Sequence, residues 1–285
     1  MTKIYDIDSF AGWIKEITKI SGEPFVKSGQ EMINYFFELE RLLPDNYGWR
    51  YYDLNSFKEL MQDKKNPNEV NMTYWKDVIL TLEAYGIITY FRTNEILRIA
   101  IRSLNNKEIV PAAILTRSLL ELASSIIENS DIFNKAVMGL PNKENAVIIG
   151  DETFEGLLLR TIWGTRLGQD IPEHLKQKNI LTIIQKLSKN PNAAQLLAKY
   201  EFLCELAHPN VIGNTRFWSD DSKINQDGSV TIVVRKRGYS DSKMEIIENI
   251  IWGLGWSATC IRNGYHILQE TILEIEKKFP GTLKH

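Results

Sequence analysis

The sequence predicts an all-α protein, a helical bundle interrupted by one small β-hairpin before its last long helix. Three observations predict it. Long stretches without proline place apolar residues three and four positions apart. Helix-ending residues punctuate those stretches, at Pro44, Asn105-Asn106-Lys107, Pro209 and Pro280-Gly281. Only residues 213–240 are rich in β-branched and aromatic residues around turn chemistry.

Taken in order, Asp8-Ser9 offers an N-cap before Phe10, Trp13, Ile14, Ile17 and Ile20. Residues 26–42 place Met32, Tyr35, Phe36 and Leu39 on one helical face. A polar and aromatic stretch follows, with a short helix near 55–63 and the linker KKNPN. It marks a boundary between an N-terminal helical extension, 1–70, and the bundle, 71–285. From Asn71 to Asn105 there is no proline and one glycine, and Val78, Leu82, Tyr85, Ile88, Phe91, Ile96, Ile99 and Leu104 trace one long helix.

Pro111 suits the first turn of the next helix, 109–128, whose apolar face runs Ile114, Leu115, Leu119, Leu122 and Ile126. The two helices fold back antiparallel about Asn106-Lys107, with residue i facing residue 214 − i. Asp151 or Thr153 caps a helix reaching Arg166. Further short helices cover Ile180–Leu187 and Ala193–Leu206. The hairpin joins Thr215–Trp218 to Ser229–Val234 through Asn225–Gly228. Asp241-Ser242 caps the final helix, with the stripe Ile247, Ile250, Leu254, Ala258, Ile261, Tyr265, Leu268, Ile272 and Ile275.

Composition narrows the function classes. The chain has 285 residues, 34 Lys and Arg against 36 Asp and Glu, and a net charge of −2. A histone-like polyanion binder carries a clear basic excess, which is missing here. The two cysteines, Cys204 and Cys260, form no CxxC or Cys/His cluster, so neither a zinc module nor a disulfide scaffold is expected. The N-terminus has no continuous apolar region of a signal peptide, and no run of about 18 uncharged apolar residues occurs. The expectation is a cytoplasmic protein without a membrane partner. GxSxG, P-loop, GxGxxG, HExxH and EF-hand patterns are all missing, and no cofactor or metal is called for.

The polar residues on apolar helices are more informative. Arg117 and Glu121 stand four apart in ILTRSLLELASSII and share a face. The 214 − i register brings Arg98 towards Thr116–Arg117 and Glu95 towards Leu119, so Glu95, Arg98 and Arg102 reach the same patch. This is either an ion-pair lattice or an anion site. In YEFLCELAHPN, Tyr200, Cys204 and His208 recur every four residues, and His208 sits at the helix C-terminus, where an imidazolium is favoured. It reads as a proton-transfer group or as a C-cap. Arg160 and Arg166 flank Trp163, a core residue or a base-stacking one. Val234-Arg235-Lys236-Arg237 is a basic strand end, and Trp49-Arg50-Tyr51-Tyr52 packs on the bundle or faces a partner.

ILTRSLLE, LLLRTIWGTR and YEFLCELAHPN, in that order, resemble uncharacterised bacterial helical proteins that are distantly similar to the HEPN superfamily. The resemblance covers about residues 75–275. It implies a metal-independent endoribonuclease or RNA-binding effector of a toxin or phage-defence system, with RNA as partner and a homodimer or neutralising protein beside it. Catalytic members carry Arg-x(4–6)-His at the start of a late helix. The nearest pair here, Arg262 and His266, has three residues between and lies mid-helix. Metal-free RNA cleavage needs a base, an acid and a cation. His208 and His266 are the proton-transfer candidates, with Arg117, Glu121 and Arg262 beside them. Arg98, Arg160, Arg166, Tyr200 and Asn210 are the substrate-binding candidates. The alternatives are a non-catalytic interaction or scaffold protein, whose Arg/Glu/His set is a buried polar lattice, and a sensor of an anionic small ligand or nucleotide.

Overall fold

The computed structural model describes residues 9–18, 23–141, 145–168, 170–219, 221, 223–235 and 244–283. These residues form ten α-helices and one two-stranded hairpin, so the chain is all-α. In order they are α1 (Gly12–Thr18), α2 (Glu23–Glu40), α3 (Leu54–Gln62), α4 (Pro67–Asn105), α5 (Ile109–Met138), α6 (Glu152–Trp163), α7 (Ile180–Leu187), α8 (Leu196–Ala207), α9 (Val211–Asn214), β1 (Lys223–Ile224), β2 (Val230–Thr231) and α10 (Met244–Lys278).

The chain divides into two compact units. Unit 1 comprises the described residues of Met1–Arg41, Arg92–Ser124 and Ile184–Cys260; unit 2 those of Leu42–Phe91, Ser125–Ile183 and Ile261–His285. Helices α4, α5 and α10 each contribute one part to each unit.

In unit 1 the core is built from Ile14, Ile33, Phe36, Phe37, Leu97, Ile101, Leu104, Leu119, Leu203, Ile250 and Leu254, all essentially dry. The start of the described chain is tied to the end of α4. Asn105 Nδ2 donates to the Ser9 carbonyl and Asn105 Oδ1 accepts from the Ala11 N–H, both at 2.8 Å, while Trp13 Nε1 donates to the Asn105 carbonyl. Helices α2 and α10 cross closely at Gly29 and Gly255, where a Cβ on Gly255 would lie 3.3 Å from Gly29 Cα.

In unit 2, Asn129 of α5 donates to the Tyr85 hydroxyl of α4 at 3.0 Å, a pair that obeys the 214 − i register. Trp75 stacks on Phe279 and Tyr90 meets Tyr265 edge-on, so α4 runs antiparallel to α10. Gly264 packs on Ile126, and Asn134 bonds Thr271 at 3.2 Å, so α5 and α10 run parallel there. Trp75 Nε1 donates to the Ile148 carbonyl, and Asn71 exchanges hydrogen bonds with the backbone of residues 146 and 148. These bonds hold the irregular segment before α6 against α4.

Several expectations are corrected. The second long helix continues to Met138 rather than ending near 128, because Phe133 and Val137 extend its buried stripe. Its Ile114 is exposed, as are Ile88 and Ile99 on α4. On α2 the buried face is Val26, Ile33, Phe36 and Phe37, with Tyr35 exposed and Met32 partly exposed beside Gly255 of α10. Asp151 is the N-cap of α6, accepting from the Phe154 N–H at 2.8 Å, and the helix stops at Trp163, before Arg166. Helix α8 starts at Leu196, after a 3-10 turn at Pro191–Ala193.

Residues Thr215–Phe217 form a 3-10 turn, not a strand. Asn210 caps α9, and the helical run carries on through Phe217. The hairpin pairs Lys223 with Thr231 and Ile224 with Val230 around the expected Asn225–Gly228 turn, with Trp218 bridging Val234. The caps Asp8 and Asp241-Ser242, residues Ile20, Lys236 and Arg237, and His285 lie outside the described residues. Helix α5 alone has the length and composition to cross a membrane among the described residues, and half of that stretch is buried in the protein.

Candidate functional site

The polar group that the structure assembles in unit 1 joins α5 to α8. Arg117 and Glu121 sit one turn apart on α5, with Arg117 Nη2 3.1 Å from Glu121 Oε1. Tyr200 of α8 is 6% exposed and donates its hydroxyl to the same Oε1 at 2.8 Å. The Arg117 guanidinium lies 5.8 Å from the centre of the Tyr200 ring. The two charged side chains are 32% and 31% exposed, so the group is half-buried.

The electrostatics follow from that burial. Burial first, and then Glu121, push the Tyr200 hydroxyl up to about 12 against the opposing pull of Arg117. Tyr200 therefore stays a proton donor. Burial alone would lower Arg117, but Tyr200, Cys204 and Glu121 outweigh it and its pKa is raised. Cys204 is raised chiefly by burial, despite the attraction of Arg117, so it is a thiol at neutral pH and no activated nucleophile. Arg117 Nε is buried without a hydrogen-bond partner.

The other predicted residues have contacts of their own. Arg98 turns to α2: its Nη2 is 3.4 Å from Glu40, its Nε donates to Asn94, and its guanidinium lies over Phe37. Glu95 and Arg102 are exposed. The four-residue recurrence of Tyr200, Cys204 and His208 breaks at its end. His208 takes φ −90°, ψ 150°, outside the helix, because the residue before proline is driven from the α region. His208 is exposed, and its backbone caps α8, donating to the Cys204 carbonyl. Asn210 is an N-cap, accepting from the Gly213 N–H and donating to Glu205.

Arg160, Arg166, Arg262 and His266 belong to unit 2. Arg160 is half-buried, and its carbonyl accepts from Gln177. Arg166 is exposed, donates to the Lys178 carbonyl at 2.7 Å, and lines an open concavity of about 390 Å³ with Lys176 and Gln177. Trp163 is 48% exposed, with the Trp49 ring tilted against it and the Tyr51 ring edge-on. Arg262 Nε donates to His266 Nε2 at 3.4 Å on the exposed side of α10. The proton of a neutral His266 is then on Nδ1.

One cluster escaped sequence reasoning. In unit 2, the Tyr74 hydroxyl donates to Glu155 and accepts from the Gly150 N–H. Asp77 lies one turn on from Tyr74, with Oδ1 buried and unpartnered. Burial and then the Glu155 charge push Asp77 up to about 6, and burial raises Glu155 as well. The two carboxyls are 78 positions apart in sequence, so no local spacing announces them. Among the described residues no three His, Cys, Asp or Glu side chains gather to hold a metal. Compared with protein-family models, curated proteins and solved structures, the chain matches none.

Proposed function

We propose that this is a non-catalytic helical interaction protein in which Arg117, Glu121 and Tyr200 form a structural polar lattice between α5 and α8. One observation carries the reading: Glu121 is committed at one oxygen to both Arg117 and Tyr200. A carboxylate so held is a poor general base. A partner surface is supported by the Trp49–Tyr51–Trp163 group, whose ring centres lie 4.9–5.7 Å apart and whose Tyr51 and Trp163 are about half exposed. Clustered exposed aromatics are typical anchors of protein interfaces.

A second reading, a metal-independent endoribonuclease or RNA-binding effector, has its own support in the HEPN resemblance and in the Arg262–His266 contact. That pair combines a phosphate-binding cation with a proton-transfer group. Cleavage of total RNA in EDTA separates the two. The interaction reading predicts no cleavage by wild type. Cleavage by wild type that folded Arg262→Ala and His266→Ala both lose would establish the ribonuclease reading instead.

A further inference from the structure

Beside the crossing of α2 and α10 in unit 1 lies a cavity of about 260 Å³. Phe25, Ser28, Gly29 and Met32 reach it from one face of α2, spaced i, i+3, i+4 and i+7. Ile251, Trp252, Trp256, Thr259 and Cys260 reach it from α10, and Asn192 completes the lining. The glycine contact explains why the space exists. A Cβ on Gly255 would lie 3.3 Å from Gly29 Cα, and one on Gly29 would lie 2.6 Å from Ile251 Cγ2, so the helices approach closely where both residues lack a side chain, and larger residues line the space beside that point.

The lining specifies chemistry. No charged side chain faces the cavity, and burial pushes the Cys260 thiol up to about 12, so its walls are uncharged. An ion would be desolvated there without compensation. Trp252 and Trp256 are near-parallel, with ring centres 5.8 Å apart and planes 14° from each other, and both are half-buried. They offer indole surface to a planar guest.

Thr259 adds one polar point. A threonine within a helix ordinarily returns its hydroxyl to the carbonyl four residues back. Thr81, Thr116 and Thr271 do so, at 3.0, 2.7 and 2.7 Å. Thr259 does not: its Oγ1 is buried and has no partner.

We propose that this cavity is a binding site for a small, neutral aromatic molecule with one or two rings and a single hydrogen-bonding group, which the Thr259 hydroxyl meets by turning out of the wall that buries it. The size fits: a cavity of about 150 Å³ holds benzene, whereas drug-sized ligands need about 300 Å³ or more. The site is independent of the Arg117 lattice and differs in kind from an anion sensor.

The test uses the full chain, with indole and indene as probes. Indene has the same shape and lacks the N–H. Calorimetry and saturation-transfer NMR should show saturable one-site binding of indole, with a Kd of about 1 mM or below, and weaker binding of indene. Thr259→Val should remove indole's advantage, about fivefold for one hydrogen bond. Ser28→Phe, which fills the cavity from the half-exposed face of α2, should abolish binding of both probes while circular dichroism stays native. Absence of saturable binding by wild type, or binding that folded Ser28→Phe leaves intact, would overturn the proposal. So would an indole preference that survives in folded Thr259→Val.

Discussion

Tyr200 of α8 donates its hydroxyl to Glu121 of α5 at 2.8 Å, across two helices 79 residues apart in sequence. Because Glu121 also pairs with Arg117, one carboxylate oxygen joins a helix-surface ion pair to a buried phenol. Removing either partner leaves the others half-buried and short of a bond. Arg117→Ala should cost about 1–2 kcal/mol and Tyr200→Phe about 1 kcal/mol in urea unfolding. His208→Ala, whose side chain is exposed and outside the helix, should stay within about 0.5 kcal/mol of wild type.

The Asp77 site gives a pH dependence with a definite sign. Its folded value is raised to about 6, against an unfolded value near 3.9. The folded chain therefore binds the proton more tightly than the unfolded chain. A destabilising contribution is fully present above about pH 6, shrinks as pH falls through 6, and is gone below the unfolded value. Asp77→Asn should raise stability at pH 7.5 by on the order of 1–2 kcal/mol, reduced from the full linkage figure because the group still meets some water. The same substitution should be close to neutral at pH 4. Unfolding free energies at the two pH values test this.

Helix existence was legible because burial in a bundle enforces a 3.6-residue period. Helix α7 has the predicted bounds, and all nine stripe residues of α10 face inward, Tyr265 being half-buried and the rest buried. The Tyr85–Asn129 bond shows that the α4/α5 register was legible from the turn alone. Faces were less so. Met32, Ile88, Ile99 and Ile114 are apolar yet exposed, since apolar side chains on a helix outnumber the places that its neighbours cover. Of the site, only the Arg117–Glu121 pair was local enough to read. Its link to Tyr200 depends on how α8 lies against α5. His208 carried a warning that spacing overrode: a residue before proline seldom continues a helix.

Helix α10 is pressed against α5 at Gly253, where a Cβ would lie 2.4 Å from Thr116 Cγ2. Alanine is the better helix former by about 1 kcal/mol, but overpacking of this kind costs about 1–3 kcal/mol. Gly253→Ala should therefore lower the melting temperature. Gly12→Ala, with nothing within 4 Å of its Cβ, should not.

The end of α10 is fastened by Glu276, which accepts from the Thr282 hydroxyl and from the Gly281 and Leu283 N–H groups. These bonds, Thr282 first, hold its carboxyl down to about 2. The fastening is present above the ordinary glutamate range and is lost as pH falls through about 2. Glu276→Gln should speed hydrogen exchange at the Gly281 and Leu283 amides at neutral pH, with exchange in the middle of α10 unchanged.

The most direct test of the lattice is a double-mutant cycle between Tyr200→Phe and Glu121→Ala, read by urea unfolding. The account predicts a coupling of about 0.5–1.5 kcal/mol, with each single variant less stable than wild type. Additive effects within about 0.3 kcal/mol, in variants as stable as wild type, would contradict it and return Arg117 and Glu121 to the search for a functional site.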